Sequence, residues 1–230
     1  MTETKIHTCP LCGRTSIVPY HHDKLRDYLN CRTCNLVFVP PAQHLSAVDE
    51  KAYYDLHDNQ PGDPDYRRFL DRLFTPLNQR LAPNSLGLDF GCGPAPALAQ
   101  MFEEAGHSVA LYDRYYAPDE SVLSARYDFI ALSEVVEHLA EPGKELDCLW
   151  NGLASGGWLG IMTKRTRDQE AFKTWHYITD PTHICFFCEA TFQWLTESWS
   201  SMGIPATLVI TGNDVVLIEK GWADGPGRQT

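Results

Sequence analysis

The sequence lacks two features that mark membrane and secreted proteins. No run approaches the length of about 18 apolar residues that a membrane-spanning helix needs. The first stretch, MTETKIHTCP, has no apolar core of the kind that a secretory signal contains. These two absences predict a cytoplasmic protein with no membrane partner.

Basic residues are also scarce. The chain has 19 Lys and Arg against 30 Asp and Glu, and its formal net charge is −11. An acidic surface repels a phosphate backbone, which weighs against a nucleic-acid partner. The same charge suits a cationic ligand.

The eight cysteines need an explanation other than disulfides, which are rare in the cytoplasm. Two Cys-x-x-Cys pairs, Cys9–Cys12 and Cys31–Cys34, are separated by 18 residues, which is typical of a four-cysteine zinc ribbon. The segment between the pairs is predicted to form a small hairpin. We therefore predict a structural Zn²⁺ bound by these four thiolates, with no coordination position left open for catalysis.

From residue 86 onwards, the sequence alternates between strand-like and helix-like segments. This alternation predicts an α/β fold, with a Rossmann-like, mostly parallel sheet and helices on both of its faces. Two strands joined by a tight turn (204–212 and 213–221) predict a C-terminal antiparallel hairpin. The expected organisation is a zinc-ribbon-like segment (1–41), a linker and helical cap with a helix over 66–81 (42–82), the α/β domain (83–222) and a disordered tail (223–230).

The stretch LDFGCGPAPAL (88–98) places Gly91 and Gly93 directly after a predicted strand. Glycines there let the chain turn tightly and come close to a ligand. The dinucleotide fingerprint G-x-G-x-x-G fails, because Pro96 stands at its third glycine and Pro94 removes an N–H that a pyrophosphate would use. We therefore expect a ligand that has a ribose but no phosphate, with Asp113 after the next strand accepting from the ribose.

Five segments in order resemble the class I S-adenosylmethionine-dependent methyltransferases. They are 88–98, VALYD (109–113), YDFIALSEVVEHL (127–139), GGWLGIMT (156–163) and the terminal hairpin, and the resemblance covers roughly residues 50–220. It implies S-adenosylmethionine as the cofactor. By this resemblance, Asp89 and the backbone of Gly91, Cys92 and Gly93 lie against the methionine part, Asp113 binds both ribose hydroxyls, and Ser133 and Glu134 lie beside the amino end.

The short stretch 114–126 departs from that family, because the usual third strand and its preceding helix must be compressed or missing there. The segment WHYITDPTHICFF (175–187) follows the predicted fifth strand, where members of the family line their acceptor pocket. Its histidines make the candidate general bases His183, then His138 on the same predicted helix face as Glu134, then His176. A structural role for His183 is an equal alternative.

The stretch EVVEH (134–138) is faintly similar to a helical metal-binding motif. Glu134 stands where the first histidine would be and the spacing differs, so this stretch predicts no metal site.

Together these features predict in-line SN2 transfer of a methyl group from S-adenosylmethionine to a small-molecule acceptor. One alternative is an RNA methyltransferase that grips RNA with the ribbon. Another is a non-catalytic zinc-ribbon interaction protein with a degenerate cofactor site. Ala95, which replaces the family's third loop glycine, keeps the second alternative open.

Overall fold

The computed structural model describes residues 7–56 and 60–222. Its strands, in chain order, are β1 (Ile17–His22), β2 (Asp27–Cys31), β3 (Val37–Phe38), β4 (Leu86–Phe90), β5 (Ser108–Tyr112), β6 (Tyr127–Ser133), β7 (Leu153–Met162), β8 (Cys185–Phe186), β9 (Ala206–Thr211) and β10 (Val215–Lys220). The α-helices are α1 (Ala47–Tyr54), α2 (Pro64–Asn78), α3 (Ala97–Glu104), α4 (Pro142–Gly152), α5 (Gln169–Lys173) and α6 (Glu189–Ser201). Within these described ranges, no helix is long and apolar enough to cross a bilayer.

The larger sheet has the strand order β5-β4-β6-β7-β10-β9. The pairs β4–β5, β4–β6 and β6–β7 are parallel, whereas β10 is antiparallel to both β7 and β9. This confirms the predicted parallel sheet with a C-terminal antiparallel hairpin. The strand order reverses at β4, and open α/β sheets bind their ligands beside such a point, at the carboxyl ends of the strands.

Helices cover both faces of this sheet, as predicted. Alternate residues of β6 point to opposite faces, so Phe129 packs with α2 and α3, whereas Ile130 packs with α4 and α6. On the second face, the rings of Trp150 and Trp199 stack with centroids 4.4 Å apart. The sheet is therefore buried from both sides, which leaves the ends of its strands for a ligand.

The smaller sheet has the order β1-β2-β3-β8, and its strands are antiparallel. Strands β1 and β2 form the predicted hairpin between the two cysteine pairs. Strand β8, by contrast, comes from the segment after β7, and it pairs with β3. Cys9, Cys31 and Leu36 also pack into the same apolar core as Leu132 and Ile161. The four-cysteine unit thus shares both a sheet and a core with the rest of the protein.

Some local predictions were wrong. The helix expected to start at EVVEHL is only a 3-10 helix, Val136–His138, because Glu134 has a left-handed φ of 54°. Glu134 and His138 therefore do not share a helix face. Helix α2 begins at Pro64, before the expected residue 66, because the Asp63 side chain accepts the N–H groups of Asp65 and Tyr66.

The short connection between β5 and β6 agrees with the expected compression. It contains a 3-10 helix, Glu120–Ser124, and one bridge between Asp113 and Ala117. The tail predicted to be disordered, 223–230, lies outside the described residues.

Candidate functional site

The four predicted zinc ligands come together at one point. They are Cys9, Cys12, Cys31 and Cys34, and their sulfur atoms all lie within 4.8 Å of one another. The Sγ atoms of Cys9 and Cys34 are 3.5 Å apart, and those of Cys12 and Cys31 are 3.4 Å apart. Zn–S bonds of about 2.3 Å in a tetrahedron place sulfurs about 3.8 Å apart, so the cluster has the donor set and the spacing for one zinc ion.

Two matching turns present these sulfurs. The N–H of Gly13 donates to the Cys9 carbonyl at 3.0 Å, and the N–H of Asn35 donates to the Cys31 carbonyl at 2.8 Å. Gly13 and Asn35 both adopt left-handed φ angles, 68° and 60°, which glycine and asparagine accept most readily. The two Cys-x-x-Cys stretches therefore contain all four ligands and the residues that shape their turns, so the sequence alone was sufficient to predict this site.

A cavity of about 940 Å³ opens at the carboxyl ends of β4, β5 and β6. Of the predicted cofactor and base residues, the structure brings Gly91, Cys92, Gly93, Asp113, Ser133, Glu134, His138 and His183 to its wall. Asp89 and His176 are not among the lining residues. The cavity is also lined by Glu50 and Tyr54 of α1 and by Tyr66 and Phe69 of α2, so the helices before β4 close one side of it.

The glycine loop after β4 turns back on β5. The N–H of Gly91 donates to the Tyr112 carbonyl at 2.7 Å, and Gly91 and Gly93 have φ angles of 78° and 63°. A Cβ atom at Gly91 would lie 2.5 Å from the side chain of Val135. Glycine is therefore required at Gly91 by both conformation and space.

Asp113 braces this loop with its carboxylate. One oxygen accepts the N–H of Gly93 at 3.0 Å, and the other accepts the N–H groups of Tyr115 and Tyr116 at 2.8 and 3.1 Å. A carboxylate has about four acceptor positions, so a ligand hydroxyl can still bind beside these three bonds. Asp113 thus holds the loop in place, and its carboxylate can still accept a hydrogen bond from a ligand in the cavity.

Asp89 lies under the loop and is only 3% exposed. Burial raises the pKa of its carboxyl group to about 7, although the N–H of Ala99 donates to it and acts in the opposite direction. The negative charge of Asp113 raises the pKa further. The Asp89 carboxyl group therefore connects the end of β4 to α3.

Glu50 of α1 was missed by the sequence analysis, because nothing in its local pattern distinguishes it. Its carboxylate accepts from the hydroxyl groups of Tyr54 and Tyr115 and lies 3.7 Å from the Arg114 guanidinium. These contacts tie α1 to the segment after β5 and close the cavity over the glycine loop.

Three buried oxygens at the end of β6 have no hydrogen-bond partner within the described part of the chain. They belong to Ser133 (Oγ), Glu134 (Oε1) and Glu137 (Oε2). The Tyr177 hydroxyl lies between the two glutamates and contacts the other oxygen of each. Burial raises the pKa of Glu134, and it raises the pKa of Glu137 to about 8 with a further contribution from the charge of Glu134.

Two of the three candidate bases lie together on the cavity wall. Nδ1 of His183 donates to the Tyr177 carbonyl at 2.8 Å, and Nδ1 of His138 donates to the Thr182 carbonyl at 3.1 Å. Their ring centroids are 4.7 Å apart. Burial lowers the pKa of His183, so its ring is neutral near pH 7.

The third candidate, His176, is exposed, and its Nε2 lies 2.8 Å from Nζ of Lys164. The structure therefore separates His176 from the pair on the cavity wall.

Arg26 of the four-cysteine unit was also missed. Its buried guanidinium donates to four backbone carbonyls of the segment that carries His183, and these belong to Ile178, Asp180, Pro181 and His183, at 2.6 to 3.0 Å. These partners are more than 150 positions away in sequence, so no local pattern could have revealed them.

The cavity wall is acidic. Its carboxylates come from Glu50, Asp113, Glu120, Glu134, Glu141, Glu145 and Asp180, and Arg114 is the single Lys or Arg that lines it within the described ranges. Such a wall favours a cationic ligand and disfavours a phosphate chain.

Residues 61–198 match the model of a family described as "Methyltransferase domain". The chain belongs to this methyltransferase family. The match covers more than half of the chain and includes the glycine loop, β6 and the 175–187 segment. It confirms the resemblance to class I S-adenosylmethionine-dependent methyltransferases. No curated protein matches the chain significantly.

Solved structures are similar to this chain at low sequence identity. An O-methyltransferase family protein from Burkholderia thailandensis is 12% identical, with a TM-score of 0.52 over 76% of this chain and 60% of that chain. The 1,6-didemethyltoxoflavin-N1-methyltransferase from Burkholderia thailandensis is 16% identical, with a TM-score of 0.48 over 90% of this chain and 99% of that chain. Human N-acetylserotonin methyltransferase is 17% identical, with a TM-score of 0.49 over 76% and 55%. Of these three, the first supports the fold of this methyltransferase.

Proposed function

We propose that the cavity binds S-adenosylmethionine and that the protein transfers its methyl group to a small-molecule acceptor. The observation that carries this proposal is the pair of buried, unpartnered oxygens, Ser133 Oγ and Glu134 Oε1, at the end of β6. Both residues line the cavity, together with the glycine loop and Asp113. A buried oxygen without a partner is costly, and the ammonium group of the cofactor's methionine part would donate to both atoms.

The remaining contacts follow from this placement. A ribose hydroxyl would donate to the acceptor position that Asp113 has left on its cavity side. The backbone of Gly91, Cys92 and Gly93 would face the chain between ribose and sulfur, while Asp89 connects the end of β4 to α3. The acidic wall suits the positive charge of the sulfonium before transfer.

The reaction needs alignment more than chemical activation by the protein. The acceptor atom's electron pair forms a bond to the methyl carbon, the carbon–sulfur bond breaks, and its electron pair returns to sulfur to give neutral S-adenosylhomocysteine. The acceptor's proton has to leave, and His183, whose ring is neutral near pH 7, and His138 are the candidates to accept it. His176 is exposed and does not line the cavity, so it is not assigned this role.

The four-cysteine unit would hold a structural zinc ion. In this proposal the ion keeps Arg26 and β3 in place, and these two hold the segment that presents His183 to the cavity. The ribbon therefore supports the acceptor side of the site instead of gripping RNA, in keeping with the acidic cavity wall.

Calorimetric titration of S-adenosylmethionine and S-adenosylhomocysteine into the full chain tests the proposal, with NAD as the control ligand. We expect both sulfur ligands to bind with micromolar dissociation constants and NAD not to bind. Absence of binding by either sulfur ligand would contradict the proposal and favour the non-catalytic alternative.

The Asp113→Ala variant tests the ribose contact. Losing one or two hydrogen bonds to a charged acceptor should weaken S-adenosylmethionine binding about 10- to 100-fold. Asp119→Ala is the matched control, because Asp119 lies in the same connection and is exposed. Equal binding by Asp113→Ala and the wild type would show that the ribose assignment is wrong.

A further inference from the structure

We infer that Glu137, His138 and His183 form a second metal site, which binds a divalent cation such as Mn²⁺ beside the proposed cofactor cavity. One ligand atom of each residue lies within 4.8 Å of the others, so small side-chain shifts bring all three to one ion. Two imidazoles and one carboxylate are a donor set for divalent first-row metals. The inference rests on the proposed function only for the ion's role in the reaction.

Both histidine rings make a second contact of the kind that metal-binding histidines have. In each ring Nδ1 donates to a backbone carbonyl, that of Tyr177 for His183 and that of Thr182 for His138. Metal-binding histidines typically have this second contact, which fixes the tautomer and directs the other nitrogen at the ion. Nε2 is therefore the nitrogen that would bind in both rings.

Glu137 provides an independent observation. Its side chain is fully buried (0% exposed), Oε1 contacts the Tyr177 hydroxyl, and Oε2 has no partner among the described residues. Neither Glu137 nor the nearby Glu134 has a Lys, Arg or His within ion-pair distance in the described ranges. A divalent cation would give the open oxygen the partner that it lacks.

This geometry gives the EVVEH stretch (134–138) a role that its sequence did not predict. EVVEH was set aside because Glu134 occupies the first position of the helical motif, but the ligands here are Glu137 and His138 of a 3-10 helix. The third ligand, His183, comes from a loop that β8 and Arg26 hold in place. The site depends on this distant contact and not on helical spacing.

His138 and His183 line the cavity, so open coordination positions of the ion would face it. Three protein ligands leave such positions for water or for an oxygen of the acceptor. A bound cation lowers the pKa of a hydroxyl group that it binds. In the loaded protein the two histidines would bind the ion through Nε2 and could not accept the proton themselves, so the acceptor hydroxyl would lose its proton to water.

Titration with Mn²⁺ alone, followed by electron paramagnetic resonance, tests this site on the full chain with its zinc left in place. Thiolates favour zinc over Mn²⁺, so the four-cysteine cluster should not contribute. We expect loss of the free Mn²⁺ signal with one ion per chain. Glu137→Gln and His183→Gln should each bind at least about 100-fold more weakly, because a direct ligand is lost.

Matched controls are Glu170→Gln and His176→Gln, which change an exposed glutamate and an exposed histidine that do not line the cavity. Both should bind Mn²⁺ as the wild type does. Circular dichroism of every preparation shows whether the variants are folded, and Glu137→Asp, which keeps a carboxylate, should recover part of the affinity.

The inference is overturned if the wild type binds no Mn²⁺ at millimolar concentration, or if folded Glu137→Gln and His183→Gln bind it as tightly as the wild type. Titration of S-adenosylmethionine into the same preparations reports on the proposed function separately. Cofactor binding without Mn²⁺ binding would refute the metal site alone, and Mn²⁺ binding without cofactor binding would refute the cofactor proposal alone.

Discussion

Asp89 carries a carboxyl group that the fold keeps away from water under the glycine loop. Burial raises its pKa from 3.8 to about 7. Between these two pH values the unfolded chain loses a proton that the folded protein retains, so a rise in pH favours unfolding. The contribution of Asp89 to stability is therefore intact below about pH 4 and is lost as the pH rises to about 7.

Asp89→Asn removes this titration with little change in shape. We expect the variant's melting temperature to gain several degrees over the wild type between pH 5 and pH 7.5, because the variant has no carboxyl group to ionise. Thermal melts at several pH values measure the difference, with Asp71→Asn on the exposed side of α2 as the control. A difference that stays constant over this range would contradict the raised pKa.

Among individual residues, the sequence predicted those that a short local pattern identifies. The cysteine pairs and the loop glycines follow from spacing and from the backbone conformations that they permit, and the structure brings each group together. Arg26 and Glu50 were missed because they contact residues that are distant in sequence, in the 175–187 segment and after β5. Glu137 lies in EVVEH, but that stretch was compared with a helical motif, whereas it forms a 3-10 helix. The roles assigned to Asp113, Ser133 and Glu134 in cofactor binding stay predictions.

At the scale of elements, the 175–187 segment depends on contacts from the other end of the chain. Its regular structure is a short 3-10 helix, His176–Thr179, and the two-residue strand β8, and four of its backbone carbonyls accept hydrogen bonds from Arg26. These carbonyls have little hydrogen bonding from a helix or sheet of their own. The conformation of the loop that carries His183 is therefore set largely by β3 and Arg26.

Arg26→Gln tests this dependence. The shorter side chain cannot reach all four carbonyls, so we expect a loss of stability on the order of 2 kcal/mol or more. Amide hydrogen exchange should rise in 175–187, while β4 to β6 keep their protection. Arg32→Gln, an exposed arginine of the same unit, serves as the control and should change neither measurement.

Equal exchange in Arg26→Gln and the wild type would show that β8 alone is sufficient to hold the segment.

The strands of the larger sheet could be predicted because each is a short apolar run that alternates along the chain with helix-like segments. The helix expected at residues 134–139 was wrong because the chain bends sharply at Glu134, a feature that apolar spacing does not report. The pairing of β3 with β8 could not be foreseen, since each strand has only two residues. The division of the chain near residues 41 and 82 stays a prediction.

At the scale of the whole molecule, the four-cysteine unit and the sheet share one apolar core. Cys9 and Cys34 are buried in the cluster that also contains Trp150 and Trp199. A metal that stabilises the unit should therefore stabilise the entire protein, because structural zinc contributes directly to folding free energy.

Cys9→Ser should lose zinc and lower the melting temperature in a single transition. Elemental analysis gives the metal content, and circular dichroism and tryptophan fluorescence follow unfolding. Cys148→Ser is the control, because Cys148 is exposed and lies on α4, away from the cluster. Two separate transitions, with the upper one unchanged, would contradict the shared core.

The pairing of β3 with β8 also has a consequence for the order of events on the ribosome. Synthesis starts at the N terminus, so β3 emerges long before the residues that complete its sheet. Until β8 follows, the edge of β3 and the apolar surface around the cysteines stay open to other chains. Early capture of zinc by the nascent segment would protect it during this interval, and a shortage of zinc should lower the yield of folded protein before it affects the finished enzyme.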